Sequence, residues 1–229
     1  GFYAILAAAS GRFEAACIAI FVAAVFDGVD GRVARLTGTS SEFGVQYDSL
    51  ADLISFGMAP SLVMYHWALS TMKLDGTLLG KVGWAAAFLY AACAALRLAR
   101  FNTQVGSVDK RWFIGLNSPS SAGLMVSFVW AMNEFGWNGR ELRYVALALT
   151  IFCALLMVSR FRYTSFKGSG QNKERDDRVP FVMALVIVAI LVALFIDPPR
   201  VLLVMAASYA LSGPVLWLWL KMKPKASAV

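Results

Sequence analysis

Histidine occurs once in this 229-residue chain, cysteine three times, and charged residues make up only 15% of it. The lone His66 lies on an apolar stretch beside Trp67 and reads as a structural or interfacial residue rather than a catalytic one. Cys17, Cys93 and Cys153 fall in apolar segments with neither C-x-x-C spacing nor a loop partner, so they read as packing residues. The shortage of charge, with 59% hydrophobic residues and a mean hydropathy of +0.64, excludes an ordinary soluble domain. Low-complexity runs and convincing internal repeats are also missing.

Long apolar runs are what the chain has in place of polar surface. Residues 179–196 and 201–220 each approach the roughly 20 residues that carry a helix across about 30 Å of hydrocarbon. Between them Asp197, Pro198, Pro199 and Arg200 predict a tight hairpin turn at the membrane surface. Further helices fit at 144–159, 119–136, 80–101, 42–69 and 15–37. Residues 1–10 are apolar but too short to span. They read as the tail of a truncated helix, since no small-residue cleavage site and polar mature region follow them as after a signal peptide. The expected class is an all-α polytopic membrane protein of about eight transmembrane helices, the first truncated, forming one membrane domain over 1–229. The polar stretch 168–178 reads as a mobile loop.

Cations are distributed unequally between the two sides of such a bundle. Arg32, Arg35, Arg97, Arg100, Lys110, Arg111, Arg160, Arg162, Lys167, Lys173, Arg175, Arg178, Lys221, Lys223 and Lys225 share one side, which is fifteen of the 21 Lys and Arg. Arg12, Lys73, Lys81, Arg140, Arg143 and Arg200 take the other. The richer side is expected to face the cytoplasm, in a bacterial inner membrane. The net charge of +7 is therefore a topology signal that suits anionic membrane lipids. Basic residues scattered over four regions between apolar helices do not form a nucleic-acid surface.

The chemistry concentrates in FDGVDGRVARLTGTSSEFGVQYDSLADLISFGMAP, residues 26–60, within the 15–69 helix pair. Asp27 and Asp30 are three apart near the end of one helix; Asp48 and Asp52 are four apart near the start of the next. Each pair shares a helical face, and a short turn can bring the pairs together. Four uncompensated carboxylates beside hydrocarbon would be strongly destabilising, so a positive charge belongs among them. Carboxylate oxygens are hard ligands suited to one or two Mg²⁺ or Mn²⁺ ions, with positions left for water or phosphate. Helix capping, or pairing with Arg32 and Arg35, accounts for one such aspartate more readily than for four. Gly31 and Ala34 follow Asp27 on its face and Gly44 precedes Asp48 on its own, removing bulk for a flat ligand or for close helix packing. Arg35 returns to the same face and suits a phosphate or a topology role.

Eight of these residues, Asp27, Asp30, Gly31, Ala34, Arg35, Gly44, Asp48 and Asp52, match D-x2-D-G-x2-A-R-x8-G-x3-D-x3-D without a gap. The chain thereby resembles the CDP-alcohol phosphotransferase family. The resemblance implies a six-helix core, here with two further C-terminal helices, and a homodimer. It implies transfer from a CDP-linked lipid to an alcohol that attacks the β-phosphorus and expels CMP by direct displacement. Asp27, Asp30, Asp48 and Asp52 would ligate a two-metal site, with Asp52 also the general base. Gly31, Arg35 and Ser41 would contact the CDP group, and Ala34 and Gly44 would shape its pocket; Thr39 and Ser40 could stand in for Ser41.

Three further segments, YDSLADLISFGMAP, LRLARFN at 96–102 and KRWFIGLNSPSSAG at 110–123, resemble membrane-embedded phosphatidylserine synthases, although Asn117 stands where such sequences more often carry proline. The implied substrates are CDP-diacylglycerol and L-serine. Arg97 and Arg100 are candidates for the serine carboxylate, with Asn102 and Ser118 as polar contacts, and both arginines also fit a positive-inside role. Glycerol 3-phosphate or another alcohol is the alternative acceptor. An ion or proton transporter would use the acids but leaves Gly31, Ala34, Arg35 and Gly44 without a reason, and an inactive scaffold would require losses that the signature does not have.

Overall fold

A backbone surrounded by hydrocarbon must satisfy its polar groups internally, and apolar segments of this length do so as helices. The computed structural model describes residues 1–37, 41–104, 112–164 and 181–222. In chain order it contains α1 (Phe2–Ala9), α2 (Phe13–Thr37), α3 (Glu42–Asp52), a π-helical turn (Leu53–Met58) and α4 (Ala59–Trp67). There follow a 3₁₀ segment (Leu69–Asp75), α5 (Thr77–Gln104), β1 (Trp112–Ile114), α6 (Ser118–Glu134), α7 (Arg143–Val158), β2 (Arg162–Thr164), α8 (Phe181–Ile196) and α9 (Pro198–Met222). Because α3, the π-turn and α4 form one continuous rod, these elements make eight helical passes among the described residues. The expected loop at 168–178, with Lys110, Arg111, Lys223 and Lys225, lies outside the described residues.

Two helices, Thr77–Thr103 and Pro198–Trp219, have the length and apolar composition to cross a bilayer by themselves. The interior is built largely from small side chains: Ala4, Ala7, Ala8, Ala16, Ala59, Ala94, Ala122 and Ala146 are all buried. Small residues let helix backbones approach closely, which is how helices associate where lipid removes the hydrophobic drive. Large apolar residues turn outward instead, among them Leu185, Val188 and Leu191 on α8 and Val204, Leu211 and Val215 on α9. Such a surface suits hydrocarbon and not water.

Two prolines, Pro60 in the α3–α4 rod and Pro214 in α9, lie beyond the first turn of a continuous helical run, and each removes the N–H that would bond the carbonyl four residues back. Pro60 has no N–H to offer Phe56, four residues back, and the buried Tyr90 on α5 donates its hydroxyl to that carbonyl at 3.2 Å. Pro214, inside α9, leaves Ala210 in the same position, and buried Tyr163 on β2 donates to it at 3.0 Å. An unpaired carbonyl in a lipid-embedded core is costly, so each tyrosine ties a neighbouring element to a proline-weakened helix.

The structure departs from expectation at two places. Residues 198–200 are already helical: Pro198 and Pro199 occupy the first turn of α9, where a missing N–H costs nothing, and the hairpin narrows to Asp197. Asp197 there accepts from the Arg200 backbone N–H at 3.3 Å and pairs with its guanidinium at 2.7 Å. Second, the helical bundle carries a short antiparallel ladder of β1 with β2, registering Phe113 against Tyr163.

Gly83 on α5 faces the Leu69 backbone carbonyl so closely that a β-carbon would stand 2.6 Å from its oxygen, whereas Gly28 on α2 has open space. Gly83→Ala should therefore destabilise by about 1–3 kcal/mol through overpacking, while Gly28→Ala should leave stability unchanged or raise it. Thermal unfolding of the two variants in the same detergent checks this.

Candidate active site

The end of α2 and the start of the α3 rod meet with their acidic faces toward each other. Asp27, Asp48 and Asp52 each bring a carboxylate oxygen to within 4.8 Å of the others. Asp27 and Asp52 are half-buried and Asp48 is exposed, so the group opens outward from the bundle. The carboxyl groups of Asp27 and Asp52 lie within hydrogen-bond reach of each other. Three hard oxygen donors converging this tightly are a donor set that could hold a divalent cation such as Mg²⁺ or Mn²⁺.

The fourth predicted acid sits apart. Asp30, one turn after Asp27, is exposed and stands outside the three-carboxylate group, although its charge acts on Asp48. Gly31 follows on the same helix, partly buried. Ala34 and Arg35 belong to α2, but their side chains lie outside the described residues, as do Thr39 and Ser40.

Ser41 is the N-cap of α3: its hydroxyl oxygen accepts the Gly44 backbone N–H at 3.0 Å, with extended backbone at Ser41. Gly44 keeps that turn narrow, since a β-carbon there would meet the Ser41 hydroxyl oxygen at 3.2 Å. The pair thus fixes where α3 begins, two turns before Asp48. An S-x-x-G start ahead of a helix carries this signal in sequence.

The acceptor candidates on α5 and α6 also gather near the carboxylates. Arg97 is largely buried, donates from Nη1 to the buried Ser118 hydroxyl at 3.1 Å, and lies close enough to Asp52 for their charges to interact. Its Nε is buried without a hydrogen-bond partner among the described residues. Ser118 opens α6, and the helix is capped by Asn117, whose side-chain oxygen accepts the Ser120 N–H at 3.0 Å. Asn117, at the position where proline was expected, therefore supplies a cap that proline could not.

Asn102 is held against α3. Its amide nitrogen donates to the Ser49 hydroxyl at 3.0 Å, fastening the far end of α5 to α3 between Asp48 and Asp52. Arg100 is partly buried on the same end of α5. Two contributors lie outside the expectations from sequence: Ser49, part-buried between the aspartates, and the π-turn that follows Asp52. A proline eight residues after an aspartate, within an unbroken helix, is the mark that could have revealed the second.

Residues 1–156 match the CDP-alcohol phosphatidyltransferase family, from α1 through most of α7. A Helicobacter pylori protein named CDP-diacylglycerol–serine O-phosphatidyltransferase is 35% identical over 223 residues, 97% of this chain and 88% of that protein. A Methanocaldococcus jannaschii protein of the same name is 36% identical over 64% of this chain and 62% of its own. An archaetidylserine synthase of Methanothermobacter thermautotrophicus is 34% identical over 75% of this chain and 67% of its own.

The capping geometry yields a direct check. Ser41→Ala should lower stability by about 1 kcal/mol, and Ser41→Asn, which can cap equally well, should restore it. Thermal unfolding of the three proteins side by side measures the difference.

Proposed function

The chain belongs to the CDP-alcohol phosphatidyltransferase family, and from that premise we propose that it transfers the phosphatidyl group of CDP-diacylglycerol to the hydroxyl of L-serine. The products are phosphatidylserine and CMP. The convergence of Asp27, Asp48 and Asp52 within 4.8 Å carries this reading, because such an oxygen set could hold the divalent cation that displacement at a pyrophosphate calls for. Similarity over nearly the whole length to a protein named for serine transfer supports the acceptor.

In this reading Asp27, Asp30, Asp48 and Asp52 would hold two Mg²⁺ or Mn²⁺ ions, which would supply positive charge to offset the negative charge developing on the departing CMP phosphate. Gly31, Ala34, Arg35, Ser41 and Gly44 line the CDP side. Ser41 has its oxygen committed to the α3 cap, so toward a phosphate it has its hydroxyl proton to offer. Asp52 takes the proton of the serine hydroxyl as that oxygen attacks the β-phosphorus. Its half-buried position, facing both Asp27 and Arg97, suits a base that works at the border of donor and acceptor.

Arg97 then serves the acceptor. It sits between Ser118 and Asp52, and its buried Nε has a hydrogen left to donate. A serine carboxylate paired with Arg97 would lie near Asp52, with which the guanidinium interacts. Arg100 and Asn102 contribute to the same end of α5, Asn102 through its bond to Ser49. Glycerol 3-phosphate, whose phosphate could use the same guanidinium, is the competing acceptor. The site would face the cytoplasm of an inner membrane, where serine and CDP-lipid headgroups meet, and two chains would pair as a homodimer.

Purified protein incubated with CDP-diacylglycerol, Mg²⁺ or Mn²⁺ and each alcohol should release CMP and form lipid product with serine. Product with glycerol 3-phosphate and none with serine would refute the acceptor assignment. Asp52→Asn should insert and fold yet lose about 10²–10⁴-fold in turnover; undiminished activity removes Asp52 as the base. Arg97→Lys should raise the KM for serine about 10-fold or more while leaving that for CDP-diacylglycerol near the parent value.

A further inference from the structure

The π-turn directly after Asp52 bears on how the carboxylates are aimed. A π-turn winds one extra residue into the helix, so residues before it are rotated by about 100° relative to an unbroken α-helix. Asp48 and Asp52 lie on one side of Leu53–Met58 and the core-facing Val63, Met64 and Trp67 of α4 lie on the other. The bundle fixes α4; the π-turn therefore decides which way the two aspartates point.

That turn is secured from α5. The Ala59 N–H reaches back five residues to Ile54, and Pro60, whose N–H an α-helical bond would give to the Phe56 carbonyl, has none. Tyr90, fully buried, donates to that carbonyl at 3.2 Å. One turn along the same face of α5, Ala94 packs against Gly57, where a β-carbon would come within 3.1 Å of it. The next turn presents Arg97 to Asp52. Tyr90, Ala94 and Arg97 thus form a row that grips the π-turn and ends at the carboxylates.

We propose that Tyr90 is a positioning residue of this site: by bonding the carbonyl that Pro60 leaves free, its hydroxyl holds the π-turn and keeps Asp48 and Asp52 turned toward Asp27. Tyr90 touches no substrate; it acts through the helix that bears the acids. The proposal rests on the reading that these aspartates bind a divalent cation. Tyr163 makes the same bond to a proline-freed carbonyl at Ala210, in α9, and provides an internal control.

The test measures Mn²⁺ binding by electron paramagnetic resonance, together with thermal stability and steady-state rates, on the full-length protein in detergent micelles. Tyr90→Phe should weaken Mn²⁺ binding and lower kcat by about 10-fold, the scale of one lost buried hydrogen bond, with the KM for serine within about twofold of the parent. Tyr163→Phe should lower the unfolding temperature and leave Mn²⁺ affinity unchanged. Placing 4-aminophenylalanine at position 90, which keeps an N–H donor on the same ring, should bring Mn²⁺ affinity back toward the parent. If Tyr90→Phe resembles Tyr163→Phe, losing stability alone, Tyr90 is structural and the proposal is overturned. If Tyr90→Phe does not fold, the amino variant decides: parent-like Mn²⁺ affinity supports the proposal and a loss of about 10-fold overturns it. A parent protein that binds no Mn²⁺ would instead overturn the cation reading on which this rests.

Discussion

Three carboxylates held within 4.8 Å of one another, at the edge of a bundle made for hydrocarbon, repel one another and must be brought together by the rest of the protein. Much of the surrounding structure can be understood as meeting that requirement. Asp27 comes from the end of α2, and Asp48 and Asp52 come from a separate rod whose start is fixed by the Ser41 cap. The Ser49–Asn102 bond fastens that rod to α5 between the two aspartates. A cation in the group would convert the repulsion into coordination and so link the fold of the helix pair to the chemistry.

Small residues and prolines do the rest of the positioning. Gly57 and Ala94 let α5 lie against the π-turn, and Gly83 does the same where α5 meets the 3₁₀ segment. Such contacts leave little slack, because the nearest atoms met at Gly83 belong to the Leu69 backbone and cannot move aside as a side chain can. Prolines would weaken a membrane helix if their partner carbonyls stayed bare. Here a buried tyrosine answers each of the two, so that a local defect becomes a tie between elements.

The helices themselves were legible because apolar length and Pro or Gly punctuation are written along the chain, and the expected segment at 42–69 differs by two residues from the rod that ends at Trp67. The acids at three- and four-residue spacing were legible too, since helical periodicity alone places them on shared faces. Legibility ended where the outcome depended on a partner distant in sequence. Asp30 shares a face with Asp27 yet stands outside the tight group, because a shared face does not fix which carboxylates reach across to the next helix. Asn102 was a polar residue near the site by position, and only the packing of α5 on α3 brings it to Ser49, 53 residues away. The start of α9 was misplaced by the two prolines, which break a helix interior but fit its first turn.

In the proposed reaction an acidic group would hold a cation for the CDP-lipid, Asp52 would act as the base at its inner edge, and Arg97 with Ser118 would take the carboxylate of serine. Each role would depend on Asp27 and the α3 acids acting on the same ion from two helices. A thiolate ligand changes which metal that ion can be, because sulfur prefers soft cations. The most direct measurement is CMP release by Asp27→Cys in Mg²⁺ and in Cd²⁺, alongside the parent in both. The account predicts that the variant is inactive with Mg²⁺ and regains turnover with Cd²⁺ relative to the parent; parent-like activity of the variant in Mg²⁺ would contradict it.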